Sequence, residues 1–241
     1  EFAELLGEFN SIDDFNEITV GVGVQTINLD ILKTVRRRIK REKFDITFDL
    51  LQKNNVFCKI DLIIGLPGEK LDSIATTQEY MINKLENGSS HLLCCHVMRG
   101  LPGTELMDIA KQYDMVFSSE NEPHELIMSP DLPREDMLIA LRRTAVIFRL
   151  VNHTGWADRE MITERSSSDL SVREAFFSAK HRSGISSIAL VDHLVSGFHK
   201  RLEDTESDFV KEDFPRAETW WWVRSPIEIS SKWIVEYLND V

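Results

Sequence analysis

Apolar positions recur at helical spacing from the start of the chain. Phe2, Leu5, Leu6, Phe9 and Ile12 predict a helix over residues 2–16. ITVGVGVQTIN, 18–28, is β-branched and broken by glycines, and it predicts a buried strand. Asn28 or Asp30 supplies a cap for a helix over 30–40, and REKFDITFDLLQKNN carries helical character on to about 54. VFCKIDLIIGL, 56–66, predicts a second strand. Asp72 or Ser73 opens a helix that runs to Glu86 and is stopped by Asn87 and Gly88. HLLCCHVM, 91–98, predicts a third strand, and RGLPGTEL turns it into a helix over 104–113. Residues 116–132 read as a loop, and Pro133 is placed for the first turn of a long helix to Val151.

Strand and helix therefore alternate three times in the first 115 residues, which predicts parallel strands with crossover helices. The strands are nearly all apolar, as in sheets covered on both faces. Three such strands leave an unpaired edge at 18–28, an aggregation hazard that an earlier strand would cover. After Asn152 glycine becomes rare and the apolar residues group at helical spacing: Ala175, Phe176 and Ala179, then Ile188, Leu190, Val191, Leu194, Val195 and Phe198. PIEISSKWIVEYLNDV closes the chain as a helix. The expected division is a βα domain over 1–151 and a mostly helical domain over 152–241.

Acids outnumber bases 40 to 28, a formal net charge of −12. That balance disfavours a nucleic-acid backbone or an anionic membrane surface as partner. No apolar run reaches the ~18 residues of a membrane span. The opening EFAELLGEF has neither Met nor signal-peptide regions, so a cytoplasmic piece of a longer protein is expected. Cys58, Cys94 and Cys95 form no disulfide framework and no metal spacing, since adjacent Cys94 and Cys95 on a strand face opposite ways. They read as buried thiols.

Chemistry in parallel βα architectures sits at the carboxyl ends of the strands. Here those ends are VGVQTIN, IIGLPGE and HVMRGLPGTEL. Gly65 and Gly68, on either side of Pro67, expose amides suited to an anion or a ribose, or the three form a tight βα turn. Gln25, on an apolar strand, must find hydrogen-bond partners. Arg37, within the RRR at 36–38, is placed to clamp a carboxylate from the following helix, or it belongs to a solvated charge run. Asp61 needs a partner if buried, with Arg37 or a ligand group as candidates. In the tail, Trp220, Trp221 and Trp222 offer stacking faces or simple packing. His181, His193 and His199 form no metal pair.

Taken together, VGVQTINLDILKTVRRRIKREKF, the strand ending DLIIGLPGE and the strand leading to LPGTEL resemble the second half of a radical S-adenosylmethionine (SAM) enzyme. The closest group carries a cobalamin-binding domain ahead of its barrel. The resemblance covers about residues 15–150. It implies the last three βα units of a partial (β/α)6 TIM-like barrel that holds SAM and a 4Fe–4S cluster. It places Gln25 near the SAM ribose or amino-acid moiety and Arg37 at the carboxylate. Asp61 and Ile63 fall near ribose and adenine, and Gly65 matches the glycine of the fifth-strand motif. His96, Val97 and Met98 frame adenine, though His96 can equally face substrate or the core. The motif's acid is displaced by one residue, to Glu69.

The departures are as informative. The superfamily's CxxxCxxC loop, the glycine-glycine-acid motif and a cobalamin-binding DxHxxG motif are all absent from this sequence. The cluster and cobalamin ligands are therefore expected outside the segment, in an N-terminal part of the same protein. The resemblance implies radical chemistry, namely methylation, rearrangement or hydrogen abstraction, on a small metabolite or nucleoside in natural-product biosynthesis. Two rival readings stand beside it: a non-catalytic cofactor-binding or carrier relative, and a TIM-like phosphate-ester enzyme using GLPGE as its phosphate loop.

Overall fold

The structure, a computed structural model, describes residues 2–12, 19–54, 56–86, 91–118, 124–151, 167–204 and 231–241. The chain is a mixed α/β protein whose residues divide into two compact units. One comprises Glu1–Tyr80 with Asn87–Ala140, the other Met81–Glu86 with Leu141–Val241.

The first unit is built on three parallel strands, β1 (Thr19–Gln25), β2 (Phe57–Ile64) and β3 (His91–Val97), hydrogen-bonded in the order β1–β2–β3. Each is one of the three apolar runs of the sequence. Parallel pairing follows from the connections, which are long and helical. Helix α1 (Phe2–Ile12) precedes β1, α2 (Leu29–Thr34) and α3 (Arg41–Lys53) join β1 to β2, and α4 (Leu71–Leu85) leads from β2 to β3.

The helix expected over 30–54 is two helices. Asn28 caps α2, its Oδ1 accepting from the backbone N–H of Asp30 at 3.0 Å and of Ile31 at 3.3 Å. Helix α2 then stops because Arg36 takes a left-handed φ of 53°, and the Arg37 N–H turns back to Leu32 O at 2.7 Å. Arg37 thus sits beyond the helix rather than on it. The loop expected at 116–132 also holds strands. β4 (Arg99–Gly100), β5 (Val116–Phe117) and β6 (His124–Met128) make a small antiparallel sheet in the order β4–β6–β5. Strands of two residues carry no period for a sequence to display. Helix α5 (Glu105–Gln112) follows β4, and α6 (Arg134–Val151) follows β6.

The parallel sheet has one covered face and one open face. Along β2, Cys58, Ile60, Leu62 and Ile64 are buried while Phe57, Lys59, Asp61 and Ile63 are half-buried. Partners in register across a parallel pair share a face. Leu93, Cys95 and Val97 therefore lie with the covered set, and Cys94 and His96 with Asp61 and Ile63. On β1, Gly21 and Gly23 are opposite Lys59 and Asp61. A Cβ added at Gly21 would meet nothing within 4 Å. The expectation of two covered faces is corrected here: the second carries acid, base and glycine.

In the second unit, the C-terminal half of α6 gathers with α7 (Ser167–Ser183), α8 (Ser187–Asp204) and α9 (Ser231–Asn239). Its core holds Ile147, Leu150, Phe176, Leu190, Val191, Leu194, Ile234 and Leu238, together with Met81, Ile82 and Leu85 of α4. The helical spacing read from 175 onwards identifies Phe176, Leu190, Val191 and Leu194 among these positions. Arg143 binds Asp192 through two bonds of 2.6 and 2.8 Å. Trp220–Trp222 and the side chains of Phe198 and His199 lie outside the described residues. Among the described residues, no helix is long and apolar enough to cross a membrane.

Candidate functional site

The open face of the sheet gathers the polar side chains that an apolar strand would not need. Asp61 lies at its centre. His96 Nε2 donates to Asp61 Oδ1 at 3.2 Å, and Lys59 Nζ lies 3.6 Å from the same oxygen. Cys94 is the register partner of Asp61 on β3, and Gly23 is its partner on β1. The side chains of Asp61 and His96 are 28% and 32% exposed, so solvent reaches both.

Gln25 and Arg37 converge above Gly23. A Cβ built on Gly23 would stand 2.7 Å from Gln25 Nε2 and 3.6 Å from Arg37 Nη1. Glycine at 23 thus leaves the space that these two side chains use. β1 shifts register between Gly23 and Gln25, and Gln25 adopts a φ of 65°. A left-handed glutamine costs about 1–3 kcal/mol, a strain that persists only where the surroundings fix it. The RRR run is divided in its tasks: Arg36 pairs with Glu105, while Arg37 reaches back to the strand.

The GLPGE segment is explained by its backbone. Glu69 N–H donates to Leu66 O at 2.9 Å, and Gly68 has a φ of 81°. With Pro67 between them, this is a type II turn, which places proline second and glycine third. The turn recurs at Leu101–Thr104, with Gly103 at 79° and a bond from Thr104 N to Leu101 O of 3.2 Å. The amide of Gly65, expected to be open to a ligand, donates to Glu69 Oε2 at 2.9 Å, and the Leu66 amide donates to the same oxygen at 3.2 Å. The segment folds its own acid into the position an anion would take.

Burial pushes the Glu69 carboxyl up to about 7, against the pull of the Leu66 and Gly65 amides and the Thr26 hydroxyl. The unfolded chain ionises near 4.5 while the folded chain keeps the proton until about 7. The contribution of this group to stability is therefore full below 4.5, falls as pH rises through that interval, and levels above it, by about 3 kcal/mol. Glu69→Gln keeps an oxygen for both amides and removes the titration. Urea unfolding of this variant between pH 4.5 and 7 is expected to lose that slope. A slope equal to that of the unaltered protein would assign the pH dependence elsewhere.

The sequence-derived residues fall into two groups. Gln25, Arg37, Asp61, Ile63 and His96 belong to the open face or reach over it. Val97 pairs with Ile64 and shares the opposite, covered face. Met98 is buried, its N–H donating to Ile64 O and its carbonyl accepting from Leu126 N, each at 2.9 Å. Gly65 has its amide committed to Glu69. Sequence reading passed over Lys59, the two glycines of β1 as a floor, and Cys94 as a neighbour of Asp61. The period of two along β2 and β3 was the signal available for Lys59 and Cys94.

The fold and this face define a parallel α/β protein with a polar, glycine-floored sheet surface near the carboxyl ends of its strands. No protein-family model matches the chain, and no curated protein matches it.

Proposed function

We propose that this face is the SAM-binding surface of a radical SAM enzyme of the cobalamin-associated group, and that the parallel strands are the last three βα units of its partial barrel. The convergence of Gln25 and Arg37 over Gly23, beside Asp61 and His96, carries the reading. A guanidinium and an amide above a bare glycine suit an α-amino acid carboxylate. Asp61, one strand over, suits a ribose diol, and Ile63 supplies an apolar contact on the same face. The edge of β1, unpaired among the described residues, and the exposed apolar stripe Phe2, Leu5, Phe9 and Ile12 of α1 fit a barrel continued by further strands.

Bound SAM supplies a 5′-deoxyadenosyl group for radical chemistry on a small metabolite or nucleoside. The residues of this chain bind it, orient it and shield it from water. A 4Fe–4S cluster does not fit the three thiols here: Cys94 faces Asp61, whereas Cys58 and Cys95 lie on the covered face, and such a cluster takes convergent thiolates. Cluster and cobalamin are assigned to a further part of the same protein, and the whole to the cytoplasm. The phosphate-ester alternative needs donors at Gly65 and Gly68, and the Gly65 amide already serves Glu69.

Calorimetric titration of the full chain with SAM tests the reading. Arg37 is exposed, so Arg37→Ala is expected to leave the unfolding midpoint in place and weaken SAM binding by about tenfold or more. Equal affinity in both proteins would remove the clamp, and no SAM binding at all would remove the reading.

A further inference from the structure

The geometry points to a divalent metal site of the zinc class formed by Asp61, Cys94 and His96. Each contributes one ligand atom, and the three atoms lie within 4.8 Å of one another. Tetrahedral zinc, with bonds of about 2.0–2.3 Å, sets its ligand atoms roughly 3.2–3.8 Å apart. The Asp61 and His96 atoms already stand at 3.2 Å. Cys94 Sγ need close by only about 1 Å to meet that spacing, which a side-chain torsion supplies.

All three ligands project from hydrogen-bonded strands rather than loops. Cys94 is directly opposite Asp61, and His96 is two residues further along the same strand and face. The donor set is one thiolate, one imidazole and one carboxylate. That mixture selects zinc, cobalt(II) or iron(II) over magnesium and calcium, which take oxygen. On the third side of Asp61 stands Gly23, which has no side chain to offer. The Gln25 and Arg37 side chains lie over Gly23, and three protein ligands leave the fourth position of a tetrahedral metal to water or substrate. Lys59 is the present cation beside Asp61, and a dication takes its place. On binding, the Cys94 thiol gives its proton to solvent.

The metal ligands include neither Gln25 nor Arg37, which converge over Gly23 beside Asp61. Metal and ribose claim the same Asp61 oxygens, so each lowers the affinity of the other.

Cobalt(II) is the probe, added under anaerobic conditions to the full chain. One equivalent is expected to bind at about micromolar concentration or below, with the visible bands of tetrahedral cobalt and a thiolate-to-cobalt band in the near ultraviolet. Cys94→Ser should abolish the thiolate band. His96→Gln, at a partly exposed position, should weaken binding at least tenfold while leaving the far-ultraviolet circular dichroism unchanged. Cys58→Ser should change nothing, since Cys58 lies on the covered face and its thiol is pushed up to about 11 by burial. Absence of stoichiometric binding at about a hundred times that concentration, a thiolate band that survives Cys94→Ser, or full affinity in His96→Gln would each overturn the site. SAM titration of the same preparation separates the two assignments: cobalt binding without SAM binding removes only the nucleotide reading, and the reverse removes only the metal.

Discussion

Arg173→Leu is expected to destabilise the protein by about 3–5 kcal/mol, read as a lowered urea midpoint. Arg173 is 7% exposed and works by donating to backbone carbonyls. Its Nη1 donates to Val151 O at 2.9 Å, and its Nη2 donates to Leu85 O and, at 3.4 Å, to Glu86 O. Those carbonyls belong to the last turns of α6 and α4, where no further helical N–H exists to bond them. The guanidinium therefore closes two helix ends at once, with a charge that complements the negative pole of each. Burial lowers its proton affinity, and the nearby Glu86 carboxylate opposes that. Leucine fills part of the volume but leaves the carbonyls buried without this donor, each costing about 1–3 kcal/mol. Lys is a sharper control than Ala, because it keeps the charge and loses the fork. A midpoint for Arg173→Leu within experimental error of the unaltered protein would show that the helix ends find other partners.

Gly65→Ala is expected to cost about 3–4 kcal/mol, from two sources that add. Gly65 has a φ of 84°, a conformation in which an alanine Cβ is strained by about 1–2 kcal/mol. That Cβ would also be driven into Leu126 Cδ2 and stand 3.7 Å from Met137 Cε. Leu126 is buried, and its N–H is fixed to Met98 O, so it has little room to retreat. Gly103→Ala provides the comparison. Gly103 has a similar φ of 79°, yet nothing stands within 4 Å of its Cβ direction. It should show only the backbone part of the loss, about 1–2 kcal/mol. Equal losses at the two glycines would mean that conformation alone is responsible and that Leu126 yields.

These contrasts mark what can be read from a sequence. The two LPG turns are legible because proline and glycine impose their angles locally. The Asn28 cap is legible for the same reason. The break after Thr34 is not, because it depends on Arg36 entering the left-handed region, and arginine has no intrinsic preference for it. By resemblance, Glu69 is a displaced motif residue. Its task of holding the Gly65 and Leu66 amides became visible only when the type II turn brought its carboxylate back on them. Of the proposed site, Gln25, Arg37, Asp61 and His96 could be named from residue type and strand position. The resemblance adds Val97 and Met98 to them, while strand alternation puts Val97 on the covered face and burial encloses Met98.

The amino-acid order by itself determined the three long strands and most of the helices, and that those three strands run parallel. Those properties follow from short-range periodicity and from connections too long for hairpins. The tertiary structure alone decided which strand face stays open, that Cys94 stands beside Asp61, and that Arg37 bends back over Gly23. Register between strands 30 or more residues apart is set by how their covered faces pack, and that is a property of the assembled sheet rather than of any one segment.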